Sequence, residues 1–211
     1  MTNIKAQNSL SKAVFLDRDG VINVDHGYVS RLSDFEFVEG SIAAMQKLHK
    51  AGYKIIIVTN QSGIARGFYS EKEFLDLMAG VEKILAENGV ELSGTYYCPH
   101  HPEAKLPQWR IACKCRKPAS GMLERAISDH QIDLNQSFMV GDKMTDIDAC
   151  HAAGLAQCCL VGHQNIDIGN KKERAMRVFR DLSDCVDEIL LHRVNTRNNM
   201  PFDSKADCDQ N

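Results

Sequence analysis

Short clusters of strand-forming residues alternate along the chain with segments of helical periodicity. The predicted strands lie at 14–16, 53–58, 94–97, 137–140 and 156–161. Apolar residues that recur every three or four positions predict helices at 40–52, 70–89, 121–130 and 144–153. A last strand–helix unit is predicted within 177–191. Because strands alternate with helices, the pattern predicts an α/β fold, a doubly wound parallel sheet with helices on both faces.

The pattern contains no internal repeat and no linker, which predicts one domain over 1–194 and a polar tail at 195–211. Residues 1–12 are polar and lack the apolar region of a secretory signal. No apolar run approaches the roughly 20 residues that span a bilayer. We therefore expect a cytoplasmic protein without a membrane partner, and a monomer.

Composition excludes one class of partner and limits the role of cysteine. The net charge of −3 lacks the basic surplus of a nucleic-acid binder. Eight cysteines in a cytoplasmic protein are expected to be thiols or metal ligands rather than disulfides. Four of them lie in apolar surroundings and are predicted to be ordinary core residues: Cys150, Cys158, Cys159 and Cys185.

Polar residues follow several of the predicted strands directly. Asp17 and Asp19 follow the first strand, Thr59 follows the second, and Asp142 follows a later one. Lys117 precedes a predicted helix. Ligands bind at the carboxyl ends of the strands in open α/β sheets, so these side chains are expected to meet at one site.

In order and spacing these residues resemble the four motifs of the haloacid dehalogenase-type phosphohydrolases, although Val21 replaces the usual threonine. The resemblance covers 13–162 and implies that Asp17 attacks phosphorus and forms an aspartyl-phosphate. Asp19 would then transfer protons, and Thr59 and Lys117 would bind phosphoryl oxygens. It also implies Mg²⁺ on Asp17, Asp142 and the backbone carbonyl of Asp19. No insertion long enough for a cap domain is present, so the site is expected to be essentially capless.

Two residues that follow Asp142 have two possible roles each. Lys143 either positions Asp17 or contacts phosphate. Asp146 either orients metal-bound water or only caps the helix that begins there.

A second cluster combines three thiols and an imidazole within the loop 98–115. Cys98, His100, Cys113 and Cys115 form a complete Cys₃His set for structural Zn²⁺, with His101 as the rival imidazole. Free thiols are the alternative. Zinc at this position would hold Arg116 and Lys117 on a rigid base. Trp109 and Arg110, inside the loop, either border the pocket or face solvent.

Longer strings such as FLDRDGVINVDHGYV, VTNQSGIARG, YYCPHHP and CKCRKP resemble the zinc-loop branch of this superfamily, and its heptose-bisphosphate members more than its histidinol-phosphate members. That implies a phosphatase acting on a phosphorylated sugar in lipopolysaccharide precursor assembly. Hydrolysis of histidinol phosphate and a non-catalytic sugar-phosphate sensor are the alternatives. The substrate contacts it implies are Asp25, His26, Gly27, Tyr28, Thr59, Asn60, Gln61, Ser62, Arg116, Lys117 and Lys143.

Overall fold

A computed structural model of the chain describes residues 10–162 and 176–198, with side chains to residue 192. The strands are β1 (Ala13–Leu16), β2 (Lys54–Asn60), β3 (Leu92–Cys98), β4 (Phe138–Gly141), β5 (Gln157–Leu160) and β6 (Met176–Val178). The helices are α1 (Ser41–Lys50), α2 (Ser62–Arg66), α3 (Glu71–Glu87), α4 (Gly121–His130), α5 (Met144–Ala152) and α6 (Leu182–Asn198).

The six strands form one sheet in the order β3-β2-β1-β4-β5-β6, and every neighbouring pair is parallel. Strand β1 lies at the centre, where Phe15 pairs with Ile56 of β2 and Met139 of β4. The chain moves outward from β1 to β3 on one side and from β4 to β6 on the other. The order therefore reverses between β1 and β4, and the crevice at that point is where such sheets bind ligands.

Alternate residues of the central strand enter two different cores. Val14 and Leu16 pack into the core that contains residues of α1, α3 and α6, whereas Phe15 packs into the core that contains residues of α4 and α5. All three side chains are fully buried. Successive side chains of a strand point to opposite faces, so helices cover the sheet on both sides. The predicted fold class is confirmed.

A capping box fixes the start of α3. The Ser70 side chain accepts the backbone N–H of Glu73, and the Glu73 carboxylate accepts the backbone N–H of Ser70. Helix α2 was not predicted, because one and a half turns are too short to show a period. Helix α6 continues to Asn198, past residue 195 at which the polar tail was predicted to begin. The tail beyond residue 198 lies outside the described residues.

One pair of cysteines differs from the prediction. Cys150 of α5 and Cys158 of β5 form a disulfide, with Cα atoms 5.9 Å apart, so the prediction of two separate core thiols was wrong. The turn between α5 and β5 brings the two side chains together, although eight positions separate them in the sequence. Cys159 and Cys185 are buried free thiols, as predicted.

Candidate active site

The carboxyl ends of β1, β2 and β4 bring the predicted catalytic residues into one crevice. The backbone N–H of Asp17 donates to the carbonyl of Val140 at 3.0 Å, which ties the end of β1 to the end of β4. Gly20 has a φ of +85°, and a Cβ on it would lie 2.5 Å from Oδ2 of Asp142. A side chain at this position would therefore displace Asp142 from the crevice.

A buried lysine links two of the site's carboxylates. Lys117 Nζ lies 2.9 Å from Asp17 Oδ1 and 2.6 Å from Asp146 Oδ1, and it donates to the carbonyl of Val58 at 2.8 Å. Asp146 Oδ2 accepts the backbone N–H of Lys143 at 2.9 Å, so Asp146 also caps α5. Of the two roles left open for Asp146, the capping contact is present, and the ion pair to Lys117 is an addition that the sequence did not suggest.

The crevice holds more negative charge than its lysines neutralise. Oxygen atoms of Asp17, Asp142 and Asp146 lie within 4.8 Å of one another. Burial, together with the nearby Asp146, raises the pKa of Asp17, although Lys117 opposes the shift. Burial and Asp17 raise the pKa of Asp142 to about 7. Burial alone would lower the pKa of Lys117, but Asp17 and Asp146 raise it above the ordinary value. Three converging carboxylates, of which Asp17 and Asp142 have raised pKa values, fit a hard divalent cation.

Asp19 is held by a residue that sequence reasoning missed. The guanidinium of Arg18 donates to Asp19 Oδ1 from Nη2 at 2.7 Å and from Nε at 3.1 Å. Asn23 Nδ2 donates to the same oxygen at 3.0 Å. Arg18 is fully buried, and its Nη2 also donates to the carbonyl of Val29. The side chain of Asp19 lies outside the group of Asp17, Asp142 and Asp146, and its Oδ2 accepts from Gln61 Nε2 at 3.2 Å.

The polar residues after β2 hold the crevice together through their side chains. Asn60 accepts the backbone N–H of Lys117 and donates to its carbonyl, at 3.0 and 3.1 Å. Buried Gln61 donates to Thr59 Oγ1 at 2.8 Å and accepts from the Tyr69 hydroxyl at 2.6 Å. The side chains of Asn60 and Gln61, both predicted to contact substrate, are therefore engaged in positioning Lys117 and Thr59.

The loop 25–28 lies at the entrance of the crevice and is joined to its floor. Lys143 Nζ lies 3.3 Å from Asp25 Oδ2 and 3.4 Å from Asp142 Oδ2. Tyr28 has a φ of +56° and is exposed, with its ring edge-on to Phe68 at 4.6 Å. The predicted contacts Asp25, Tyr28 and Lys143 thus lie together at the rim, whereas exposed His26 pairs with Glu36.

The four predicted zinc ligands converge in the loop 98–115. Cys98 Sγ lies 3.5 Å from Cys113 Sγ and 3.1 Å from Cys115 Sγ, and His100 Nδ1 lies 3.3 Å from Cys115 Sγ. Ligands of tetrahedral Zn²⁺, with Zn–S bonds of about 2.3 Å, are separated by roughly 3.5–3.8 Å. The thiols and the imidazole match Zn²⁺ in donor type; the separation of 3.5 Å lies within that range, and those of 3.1 and 3.3 Å are shorter than it. The rival imidazole, His101, is engaged by other groups.

The loop places cationic side chains beside the crevice. Arg116 Nη1 donates to the carbonyl of His100 at 3.4 Å and directly precedes Lys117. Burial, Arg116 and Arg66 lower the pKa of His101. Trp109 is half-buried, with its ring 5.6 Å from that of His100, and Arg110 Nε donates to the carbonyl of Ala104. Trp109 and Arg110 thus stabilise the loop itself.

Comparison with known proteins identifies the family. The model of the family "Polynucleotide kinase 3 phosphatase" matches residues 13–185. A D-glycero-β-D-manno-heptose-1,7-bisphosphate 7-phosphatase from Photorhabdus laumondii is 52% identical over 149 residues, 71% of this chain and 79% of the relative. Its counterpart from Pasteurella multocida is 47% identical over 175 residues, 83% of this chain and 95% of the relative.

A solved structure with the same fold was determined with magnesium and phosphate bound. The D,D-heptose 1,7-bisphosphate phosphatase of B. bronchiseptica, complexed with magnesium and phosphate, superposes with a TM-score of 0.73 at 29% identity, covering 86% of this chain and 99% of that one. Identity near 50% over most of both chains, together with the match to the family model, identifies the family. The chain belongs to the heptose-1,7-bisphosphate 7-phosphatase family of haloacid dehalogenase-like phosphohydrolases.

Proposed function

We propose that the chain is a Mg²⁺-dependent phosphomonoesterase that removes the C7 phosphate of D-glycero-D-manno-heptose 1,7-bisphosphate. The observation that carries the substrate assignment is the identity of about 50% to phosphatases of that name. Those relatives act, by name, on the β anomer, which supports the β anomer here. The reaction belongs to the assembly of the ADP-heptose precursor of lipopolysaccharide, as the family resemblance implies.

In the first step Asp17 attacks the phosphorus atom of the C7 phosphate. Both contacts that the described residues make to its carboxylate, from Lys117 Nζ and from the Arg18 N–H, fall on Oδ1, so Oδ2 is the oxygen available for attack. A P–O bond to Asp17 forms while the bond to the C7 oxygen breaks. Asp19, protonated, gives its proton to the leaving sugar alkoxide. The products are an aspartyl-phosphate and the sugar alcohol.

In the second step water cleaves the aspartyl-phosphate. Asp19, now ionised, takes a proton from the water as it attacks phosphorus, and the bond to Asp17 breaks to release inorganic phosphate. Lys117 and Thr59 contribute positive charge and a hydroxyl donor to the phosphoryl oxygens in both steps. Because Arg18 and Asn23 donate to Asp19 Oδ1, the other carboxylate oxygen is the one that carries the proton.

The acidic crevice would hold Mg²⁺ through Asp17, Asp142 and the backbone carbonyl of Asp19, with Asp146 close enough to orient a ligand. The bound ion supplies positive charge that allows an anionic nucleophile to approach an anionic phosphate. The raised pKa values of Asp17 and Asp142 support this role, since they indicate a need for a cation at this position.

Zn²⁺ in the loop 98–115 would have a structural role. Three thiolates and an imidazole complete a tetrahedron and leave no position for a reacting water. The ion would fix the segment that delivers Arg116 and Lys117 to the crevice.

The experiment that tests this function is steady-state phosphate release by the purified protein with Mg²⁺. Three substrates are compared: the heptose 1,7-bisphosphate, histidinol phosphate, and an oligonucleotide 3′-phosphate suggested by the name of the family model. We expect strong preference for the heptose and no release by Asp17→Asn. Preference for another substrate, or tight binding of the heptose without release, would refute the assignment.

Two further predictions from sequence stay predictions. They are the monomeric state and the cytoplasmic location. None of the helices in residues 10–162 and 176–198 is long and apolar enough to cross a membrane.

A further inference from the structure

A buried tyrosine that the proposed mechanism does not use is joined to the polar residues at the end of β2. Tyr69 lies between helices α2 and α3. Its hydroxyl donates to Gln61 Oε1 at 2.6 Å, and Gln61 Nε2 donates to Thr59 Oγ1 at 2.8 Å. All three side chains are buried. Two hydrogen bonds in series therefore connect Tyr69 to the threonine that is proposed to bind the phosphoryl group.

The amide of Gln61 has one orientation that satisfies all of its neighbours. Its Nε2 also donates to Asp19 Oδ2, at 3.2 Å. An ionised carboxylate accepts hydrogen bonds but donates none, so the NH₂ group faces Asp19 and Thr59, and Oε1 faces Tyr69. Because an amide oxygen can only accept, the Tyr69 hydroxyl is the donor in the last of these contacts.

The direction of these bonds keeps the hydroxyl proton of Thr59 available for the substrate. Thr59 Oγ1 accepts from Gln61, so its own proton is not taken up by the amide. A hydroxyl that accepts one hydrogen bond also becomes a stronger donor, because successive hydrogen bonds polarise one another. Thr59 can therefore donate to a phosphoryl oxygen.

A glycine of α2 makes room for the tyrosine ring. A Cβ on Gly63 would lie 2.5 Å from Cζ of Tyr69 and 2.7 Å from its hydroxyl oxygen. Any side chain at position 63 would therefore displace the ring and its hydroxyl. Burial raises the pKa of Tyr69 to about 12, so the hydroxyl keeps its proton near neutral pH and remains a donor.

Without the tyrosine hydroxyl, the amide would lose the group that fixes its direction. Oε1 of Gln61 would become a buried acceptor that lacks this donor, which is costly. Rotation of the amide by half a turn would bring Oε1 to Thr59, where it could accept the hydroxyl proton. The phosphoryl group would then lose a donor.

We propose that Tyr69 is a positioning residue, which acts through Gln61 to keep the Thr59 hydroxyl directed at the phosphoryl group. The inference rests on the proposed function, in which Thr59 binds a phosphoryl oxygen. Contacts that are stronger in the transition state than in the substrate complex raise kcat rather than lower KM. The effect of Tyr69 should therefore fall mainly on kcat.

The test is a double-mutant cycle on phosphate release from the heptose 1,7-bisphosphate with Mg²⁺. Tyr69→Phe removes the hydroxyl and keeps the ring against Gly63, and Thr59→Val removes the hydroxyl that Tyr69 is proposed to orient. Tyr97→Phe is the matched control, because it removes a half-buried hydroxyl whose partner is Glu71 of α3. A general loss of structure would act equally in both backgrounds, whereas a role through Thr59 would not.

For Tyr69→Phe we expect kcat to fall about three- to tenfold, as for the loss of one buried hydrogen bond, with KM changed by less than about twofold. In the Thr59→Val background the same substitution should change kcat by less than about 1.5-fold. Tyr97→Phe should leave both constants unchanged. An unchanged kcat in Tyr69→Phe, or equal factors in the two backgrounds, would overturn the role of Tyr69. Failure of the proposed function is distinct, since the wild-type enzyme would then release no phosphate from this substrate.

Discussion

Lys117 Nζ lies 2.9 Å from Oδ1 of Asp17, and both side chains are almost completely buried. The same ammonium group contacts Asp146 at 2.6 Å. One buried cation therefore contacts both the proposed nucleophile and the residue that caps α5. In the proposed mechanism it also binds the phosphoryl group, so Lys117 would be a structural as well as a catalytic residue.

Replacing Lys117 by Met should reduce both activity and stability. We expect kcat to fall at least 100-fold, since a preorganised donor to the phosphoryl group is lost. Two buried carboxylates would lose their counter-charge, which should lower the free energy of unfolding by about 3–5 kcal/mol. Urea denaturation checks the second value. Adding Asp146→Asn should recover part of the stability and none of the activity; a double variant less stable than the single one would contradict this explanation.

Asp19→Asn should separate proton transfer from nucleophilic attack. An amide cannot protonate the leaving alkoxide, so kcat for the sugar phosphate should fall by about 10²–10⁴. With an aryl phosphate, whose leaving group needs no proton, the variant should slow the first step less. Rapid-quench measurement of aspartyl-phosphate formation from both substrates checks this, with Asp17→Asn as the variant that forms none. Equal first-step losses on both substrates would show that Asp19 acts in another way.

Removal of zinc should disorder the segment that carries Arg116 and Lys117. The protein should contain one zinc ion per Cys₃His group, and Cys113→Ser should lose most of it. Activity should fall after treatment with a strong chelator and return with Zn²⁺ plus Mg²⁺, but not with Mg²⁺ alone. Metal analysis by mass spectrometry alongside the assay tests the prediction. Full activity of the zinc-free protein in Mg²⁺ would contradict a structural role for the ion.

The disulfide between Cys150 and Cys158 should contribute measurable stability. A cross-link between residues eight positions apart lowers the entropy of the unfolded chain. It should therefore raise the free energy of unfolding by roughly 2–3 kcal/mol. Guanidinium denaturation with and without a reductant measures the difference in the free energy of unfolding. The double variant Cys150→Ser and Cys158→Ser should be less stable than the wild type, and reductant should not change its denaturation midpoint. If reductant leaves the wild-type midpoint unchanged, the pair is not cross-linked in solution.

The elements with a clear residue pattern were the ones that sequence predicted well. Strand β2 is a run of apolar residues buried on both faces, and α3 has both a capping box and an apolar stripe. The exceptions are short or depend on distant contacts. Helix α2 has five residues, and the Cys150–Cys158 pair exists only because α5 and β5 are adjacent in space.

Within the crevice, the sequence predicted which residues converge better than it predicted the residues that hold them. Asp17, Asp142 and Lys117 belong to the motifs of the family resemblance, and they lie together in the structure. Arg18 lies between two aspartates and resembles a solvated residue in the sequence, yet it is fully buried against Asp19 and the carbonyl of Val29. Its position depends on a hydrogen bond to the carbonyl of Val29, eleven residues away in the sequence. A local sequence pattern does not predict a contact of this kind.

Asp17 should take the C7 phosphate and leave the C1 phosphate in place. Phosphorus NMR of the heptose 1,7-bisphosphate, followed during turnover with Mg²⁺, distinguishes the two phosphates. We expect the C7 monoester signal to disappear, inorganic phosphate to rise by the same amount and the C1 signal to persist, with no change in Asp17→Asn. Loss of the C1 signal, or turnover by Asp17→Asn, would contradict it.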